Sequence, residues 1–412
     1  MRKLLMLAYY FPPLGGAGVQ RSAKFAKYLA RAGWEIKVIS VVPPAYEPSD
    51  PSLEREIVRE RISVTRTPIR EAFRSLDRIP GGWRARAVLQ DWFLFPDRTA
   101  AWFGPAYQAA ASFCEKNPGI PVFSTSAPYT AHLIGLALKR RFGSPWIADF
   151  RDEWTQNPYL GYPSPWHRMR HRNVERQVLT GADLVLSVSD RITEGLRWLA
   201  PGAAGQFVTI PNGFDPEDFE TLQPPFGRQW AITHVGTLNK ARAGLIRPLL
   251  EQLRKMVDSG QIPPDQLRVR LVGSGTYPDL EELRTGYTEV IDYLPHQQAL
   301  NLMAASDLLI LAESNPAAFT GKIFEYLGVR RPVIGLVHPD SPAAGLIQEA
   351  NAGWVLDPAD ATAMEAVLAY CYTGWASKLP TITSRNDVIN RYDRRLQAEK
   401  LGELMIKISE RQ

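Results

Sequence analysis

The chain reads as an α/β protein of two doubly wound, Rossmann-like domains, and three stretches predict it. Leu4 to Tyr10 is an apolar strand, Phe11 to Gly18 a glycine-bearing loop, Val19 to Ala32 an amphipathic helix and Trp34 to Val42 a second strand. Asp307 to Ala312 and Val333 to Val337 are again strand-sized apolar runs, joined through a loop and a helix beginning at Thr320-Gly321. Between these units Pro211-Asn212-Gly213-Phe214-Asp215 is strong turn chemistry, and Pro216, Pro224 and Pro225 mark a linker within 205–228. The expected domains are 1–205, with a last helix at about 388–412 returning to it, and 206–387.

With 412 residues, 45% hydrophobic and 22% charged, the chain has room for two or three cores. A formal charge of +5 suits anionic ligands or a membrane surface and does not by itself indicate nucleic acid. Cys114 and Cys371, the two cysteines, have no metal-ligand spacing and suit a reducing, cytoplasmic setting. The apolar run after Met1-Arg2-Lys3 is short and meets Phe11-Pro12-Pro13, so it reads as a strand rather than a leader. No apolar run reaches the length of a membrane span.

In the first domain, Gly15, Gly16 and Gly18 let backbone approach a phosphate closely. A dinucleotide fingerprint beginning at Gly16 meets Arg21 where its last glycine belongs, and no acidic residue ends the second strand. A nicotinamide reading is therefore disfavoured. Residues 43–110 read as an irregular region with one strand at Ile62 to Arg66. Within it, Ile69 to Phe95 interleaves arginines with Trp83, Trp92, Phe93 and Phe95, a composition that suits a membrane interface, an acceptor groove or buried packing. Pro121 to Thr125 is a strand, followed by a helix start carrying His132. Trp146 to Phe150 is a strand ending in the charged cluster Asp149, Arg151 and Asp152, a position where open α/β sheets place sites. His167 to Arg176 is a helical basic run, and Leu184 to Val188 and Phe207 to Ile210 are further strands.

The second domain opens with the strand Ala231 to Val235 and the loop Gly236-Thr237 leading to Arg242. Val269 to Val272 with Gly273, and Val290 to Leu294, continue the strands. At the helix after Asp307 to Ala312, Gly321, Lys322 and Ile323 bring unpaired N–H groups and a cation, which suit phosphate. Glu325, at i+3 from Lys322, shares nearly the same face. A cation for a diphosphate beside a carboxylate for ribose hydroxyls is an arrangement for a nucleotide sugar; the alternative is a solvated Lys and Glu on a surface helix. Ala361 to Tyr372 and Arg391 to Ser409 read as helices.

The stretch TGKIFEYLGVRRPVIGLV resembles the donor segment of family 4 glycosyltransferases, retaining enzymes of the GT-B fold. YFPPLGGAGVQR, SAPYTAHL, WIADFRDEW and PNGFD resemble further segments of that family in the same order. The resemblance implies two domains facing across a cleft, with Glu325 holding the donor ribose and the Gly15–Gly18 loop facing the diphosphate. Many relatives carry two cations in the loop after the first strand of the second domain; here Thr237 replaces one and Arg242 holds the other. A glutamate that touches the sugar in relatives is Ala317 here, with Glu313 further upstream.

Such a transferase must neutralise a leaving diphosphate. Arg242, Lys322 and the Gly15, Gly16 backbone are expected to do this without a metal or other cofactor. His132 is the candidate acid/base or sugar contact, and Asp149, Arg151 and Asp152 are acceptor-side candidates. The expected function is hexosyl transfer with retention from a UDP-sugar to a glycan or lipid-linked acceptor in cell-surface polysaccharide synthesis. The place is the cytoplasm, with peripheral contact at an anionic membrane and no nucleic acid. A nucleotide-sugar 2-epimerase and a non-catalytic nucleotide-sugar binder remain the alternatives.

Overall fold

A computed structural model describes every residue except 1, 44–48, 70–74, 76–77, 80, 158–159, 221, 223–227, 274–283, 316–320 and 411–412. The chain divides into two units, Met1–Pro211 with Arg395–Gln412, and Asn212–Arg394.

The first unit holds a seven-stranded sheet of β1 (Arg2–Leu7), β2 (Trp34–Val41), β3 (Ser63–Thr67), β4 (Val122–Ser126), β5 (Trp146–Phe150), β6 (Leu184–Ser187) and β7 (Gln206–Thr209), in the order β3-β2-β1-β4-β5-β6-β7. Every pairing is parallel. Helices cover both faces, so every residue of β4 and β5 and the last four of β1 are buried, including the polar Ser124, Thr125, Ser126 and Asp149. Ala398, Leu401, Met405 and Ile408 of the last helix, Arg394–Ser409, join the core that contains Leu4, Met6, Ile36 and Val38. The region 43–110 is more regular than its composition suggests. Asp50 caps a helix at Pro51–Arg59, and helices at Gly82–Phe93 and Phe103–Lys116 follow.

The second unit holds six parallel strands, β8 (Trp230–Val235), β9 (Leu267–Val272), β10 (Thr288–Ile291), β11 (Leu308–Glu313), β12 (Val333–Val337) and β13 (Gly353–Val355), in the order β10-β9-β8-β11-β12-β13. The chain winds outward in both directions from β8 and β11. Their adjacent carboxyl ends are a topological switch point, where doubly wound sheets bind ligands.

The unit boundary differs from the sequence reading. β7 pairs with β6 through Gln206 to Thr209, so those residues belong to the first sheet rather than to the second domain. The partly buried sequence QFVT carries little strand signal of its own. Val388 and Ile389 pack into the core of the second unit, so the returning segment begins near Arg395 rather than 388.

Candidate functional site

In the second unit, β8 ends at Val235, and Gly236-Thr237-Leu238 leads into the helix Lys240–Asp258. Asn239 caps this helix, its Oδ1 accepting from the Arg242 amide at 2.9 Å. The Arg242 guanidinium donates from Nη1 to the Thr237 carbonyl at 3.1 Å and from Nη2 to Glu313 Oε2 at 2.6 Å. Glu313 is the last residue of β11, and its Oε1 accepts from the Asn315 amide at 3.0 Å. The helix Lys322–Val329 follows, with Gly321 at its cap position and no side-chain cap. It ends at Arg330, whose φ of 56° is left-handed.

Lys322 Nζ donates to Glu325 Oε2 at 2.7 Å, and His296 Nε2 lies 3.4 Å from Glu325 Oε1. Burial opposes ionisation of Glu325, but Lys322 and His296 outweigh it and hold the carboxyl well below the usual range. Glu325 is therefore an acceptor-only carboxylate at neutral pH. Tyr326, one residue on, is fully buried; its hydroxyl accepts from the Val235 amide at 2.9 Å and donates to the Ile310 carbonyl at 3.2 Å. That bond ties the helix to the ends of β8 and β11 and fixes where Lys322 and Glu325 stand.

Both cations bear on His234. His234, at the end of β8, is pushed down to about 4 by burial, with Arg242 and Lys322 both adding to the shift. Its Nδ1 lies 2.9 Å from the Ile310 carbonyl, which can only accept, so the proton sits on Nδ1. Nε2 is buried and makes no hydrogen bond of good geometry among the described residues. The site thus combines two helix starts, two cations each paired with a carboxylate (Arg242 with Glu313, Lys322 with Glu325) and a neutral imidazole at a switch point. This is chemistry for an anionic, hydroxyl-bearing ligand.

In the first unit, Gly16 has φ +93° and starts the helix Ala17–Arg31 with no side-chain cap and no acidic residue in its first turn. Arg151 braces this loop. Its guanidinium donates to the carbonyls of Gly18, Ser126 (2.6 Å) and Ala127 (2.5 Å). A Cβ on Gly18 would lie 2.7 Å from Arg151 Nη1, so a side chain there would push the guanidinium off the loop. Asp149 is fully buried and accepts from Arg21 Nη2 at 2.8 Å, Arg21 Nε at 3.1 Å and Thr125 Oγ1 at 2.8 Å.

His132 is also fully buried. Ser124 Oγ accepts from Trp146 Nε1 at 2.9 Å and lies 2.9 Å from His132 Nδ1, with the Ile147 carbonyl more distant at 3.4 Å. Ser124 Oγ and His132 Nδ1 share one proton, and either the Ser124 hydroxyl or Nδ1–H supplies it. Burial pushes His132 down to about 3, so it is neutral at physiological pH. Nε2 is buried and has no hydrogen-bond partner among the described residues.

Placement refines several expectations. Asp149 is closed off from an acceptor by its ion pair and Thr125, and Arg151 spends its nitrogens on backbone, so both shape the loops rather than offer free groups. Asp152 is exposed. Ile323 is fully buried in the core, so only its backbone faces the helix start. Thr237 is exposed on the loop, and Gly236, at φ +155°, turns the chain out of β8. Thr320 and Ala317 lie outside the described residues. The sequence reading did not single out His234, His296 or Tyr326. A lone His closing an apolar strand, and a His opening a helix after Pro295, were the available signals.

Glu175 is a further buried carboxyl beneath the β5 end. Its Oε2 accepts from the Thr155 amide at 3.2 Å and from the Thr155 hydroxyl. Burial pushes it up to about 7 from 4.5. A carboxyl raised on folding is costless below its unfolded pKa and destabilises as pH rises through 4.5 to 7. Glu175→Gln is therefore expected to raise stability at pH 8 by about 3 kcal/mol and to leave it unchanged near pH 4, read by thermal unfolding at both pH values. An equal effect at both would rule the ionisation out.

Two doubly wound units, with a cationic site at the switch point of the second, define a protein of the GT-B fold. The model of the Glycosyl transferase 4-like domain matches residues 15–213, and that of Glycosyl transferases group 1 matches residues 230–373. The chain belongs to this family of glycosyltransferases. No curated protein sequence matches it. Among solved structures it is similar to a sucrose-phosphate synthase from Thermosynechococcus elongatus (16% identity, TM-score 0.65, 100% of both chains). It is also similar to a glycosyltransferase from Rickettsia africae (18%, TM-score 0.65, 99% of this chain and 98% of the other). A third similar structure is Anabaena HepE in complex with UDP and glucose (14%, TM-score 0.65, 99% and 100%).

Proposed function

We propose that the chain transfers a hexosyl group from a UDP-sugar to a glycan or lipid-linked acceptor, with retention and without a metal, at the cytoplasmic face of a membrane during cell-surface polysaccharide synthesis. The observation that carries the donor reading is that Arg242 reaches the end of β11 through Glu313 while Tyr326 ties the helix bearing Lys322 to Val235 of β8 and Ile310 of β11, with Glu325 beside Lys322. Arg242, Lys322 and the helix starts meet the diphosphate and stabilise it as it leaves. Glu325 accepts from the ribose hydroxyls. In the first unit, His132 serves as a neutral sugar contact rather than as an acid or base, because a group titrating near 3 has no proton to give at neutral pH and is too weakly basic to take one. The uridine preference is supported by the UDP and glucose in the Anabaena structure, and retention by the family likeness.

A thermal-shift series over UDP-, GDP- and ADP-sugars tests this reading. A UDP-sugar at a hundredfold excess over its Kd stabilises the folded protein by about 2.7 kcal/mol, and the shift is expected to persist in excess chelator. A shift that disappears on chelation and returns with a divalent ion overturns metal independence. No shift with any nucleotide sugar overturns the donor site.

A further inference from the structure

The first unit carries an apolar, arginine-rimmed patch that the donor site does not use. Trp92 and Phe93, at the end of the helix Gly82–Phe93, are 49% and 68% exposed; Trp166 and Met169, at the start of the helix Pro165–Gly181, are 57% and 56% exposed. The two helix ends form one surface. The buried His167 ring takes Trp92 and Trp166 edge-on, each at 5.1 Å, and its Nε2 lies 3.2 Å from the Trp92 carbonyl. Arg170 lies over the Phe95 ring at 3.9 Å and over Trp166 at 5.7 Å. Exposed clustered aromatics of this kind mark an interaction surface.

The charge around the patch is one-sided. The two helices contain six arginines, Arg84, Arg86, Arg168, Arg170, Arg172 and Arg176. Their carboxylates are Asp91, which is paired with Arg98 at 2.9 Å, and the buried Glu175. A second copy of this chain would set arginine against arginine, a juxtaposition that costs affinity. Tryptophan, with an apolar body and a polar N–H, and arginine, with a charged head, together match the boundary between acyl chains and anionic headgroups.

We infer that this surface, centred on Trp92, Phe93, Trp166 and Met169 and flanked by Arg168 and Arg170, docks the first unit onto an anionic lipid bilayer. The aromatic side chains enter the headgroup boundary and the arginines meet lipid phosphates, giving reversible, salt-sensitive attachment. This deepens the placement of the enzyme at a membrane in the proposed function. It leaves the donor site untouched, so UDP binding and vesicle binding are measured separately and either fails alone.

The test is co-sedimentation with vesicles of phosphatidylglycerol and phosphatidylcholine in equal parts, beside vesicles of phosphatidylcholine alone. The protein is expected to sediment with the anionic vesicles at low salt, to be released by high salt, and to stay in solution with phosphatidylcholine alone. Arg168→Gln and Arg170→Gln each lower partitioning about fivefold, and Phe93→Ser with Trp166→Ser lowers it at least as much as both together. These four side chains are exposed, so thermal unfolding and UDP binding are expected to match wild type. Absence of sedimentation with anionic vesicles at low salt overturns the inference. So does vesicle binding that survives all four changes, or a concentration-dependent dimer that the Phe93 and Trp166 changes dissolve.

Discussion

Lys322→Ala is expected to weaken UDP binding by about 10- to 150-fold, the worth of one charge-assisted hydrogen bond of about 1.5–3 kcal/mol. Lys322 stands at an uncapped helix start, partly exposed, with Glu325 at i+3 as its partner. Because Glu325 is largely buried, removing Lys322 is also expected to cost some folding stability, about 1 kcal/mol or more. Glu325→Gln is expected to lose affinity by a similar factor for a different reason. The amide keeps the shape but loses the charge that accepts from ribose hydroxyls and holds Lys322 and His296 in place. Calorimetric titration with UDP reads both. Unchanged affinity in either variant removes that residue from the donor site.

Asp149→Asn and Arg21→Met are each expected to destabilise the first unit by about 3–5 kcal/mol, because each leaves a charge buried without its counter-ion. Both side chains are essentially inaccessible, at 1% and 0% exposure, and the guanidinium reaches Asp149 through Nε and Nη2. Arg21 also donates from Nη1 to the Pro211 carbonyl at 3.0 Å, so the pair fastens the first helix to β5 and to the chain after β7. The double change Arg21→Met with Asp149→Leu is expected to recover much of the loss, since no lone charge remains. Urea unfolding measures this. Single changes costing under about 1 kcal/mol would mean that the pair is solvated and carries none of this role.

The alternation of strands and helices was legible because parallel strands covered on both faces are spelled as unbroken apolar runs, as in Leu308 to Ala312. β7 was misplaced because an edge strand of four half-buried residues has no such run. Lys322 and Glu325 were legible because one helical turn brings them together and the sequence shows that turn. Glu313 meets Arg242 across 71 residues, and Tyr326 meets Val235 across 91, because β8 and β11 are neighbours; no local spacing announces sheet order. Arg21 illustrates the same limit. In the sequence it is the residue that breaks a glycine fingerprint; in the fold it is the counter-ion of Asp149, 128 residues away. Asp149 in the charged strand end is thus already neutralised by a partner that no local spacing announces.

The structure of the protein with UDP bound, determined crystallographically in the presence of chelator, tests the central claim most directly. The diphosphate is expected at the starts of the helices Lys240–Asp258 and Lys322–Val329, within hydrogen-bonding reach of Arg242 and Lys322, with the ribose hydroxyls on Glu325. UDP bound away from these helix starts, or bound only when a divalent ion is restored, would contradict that claim.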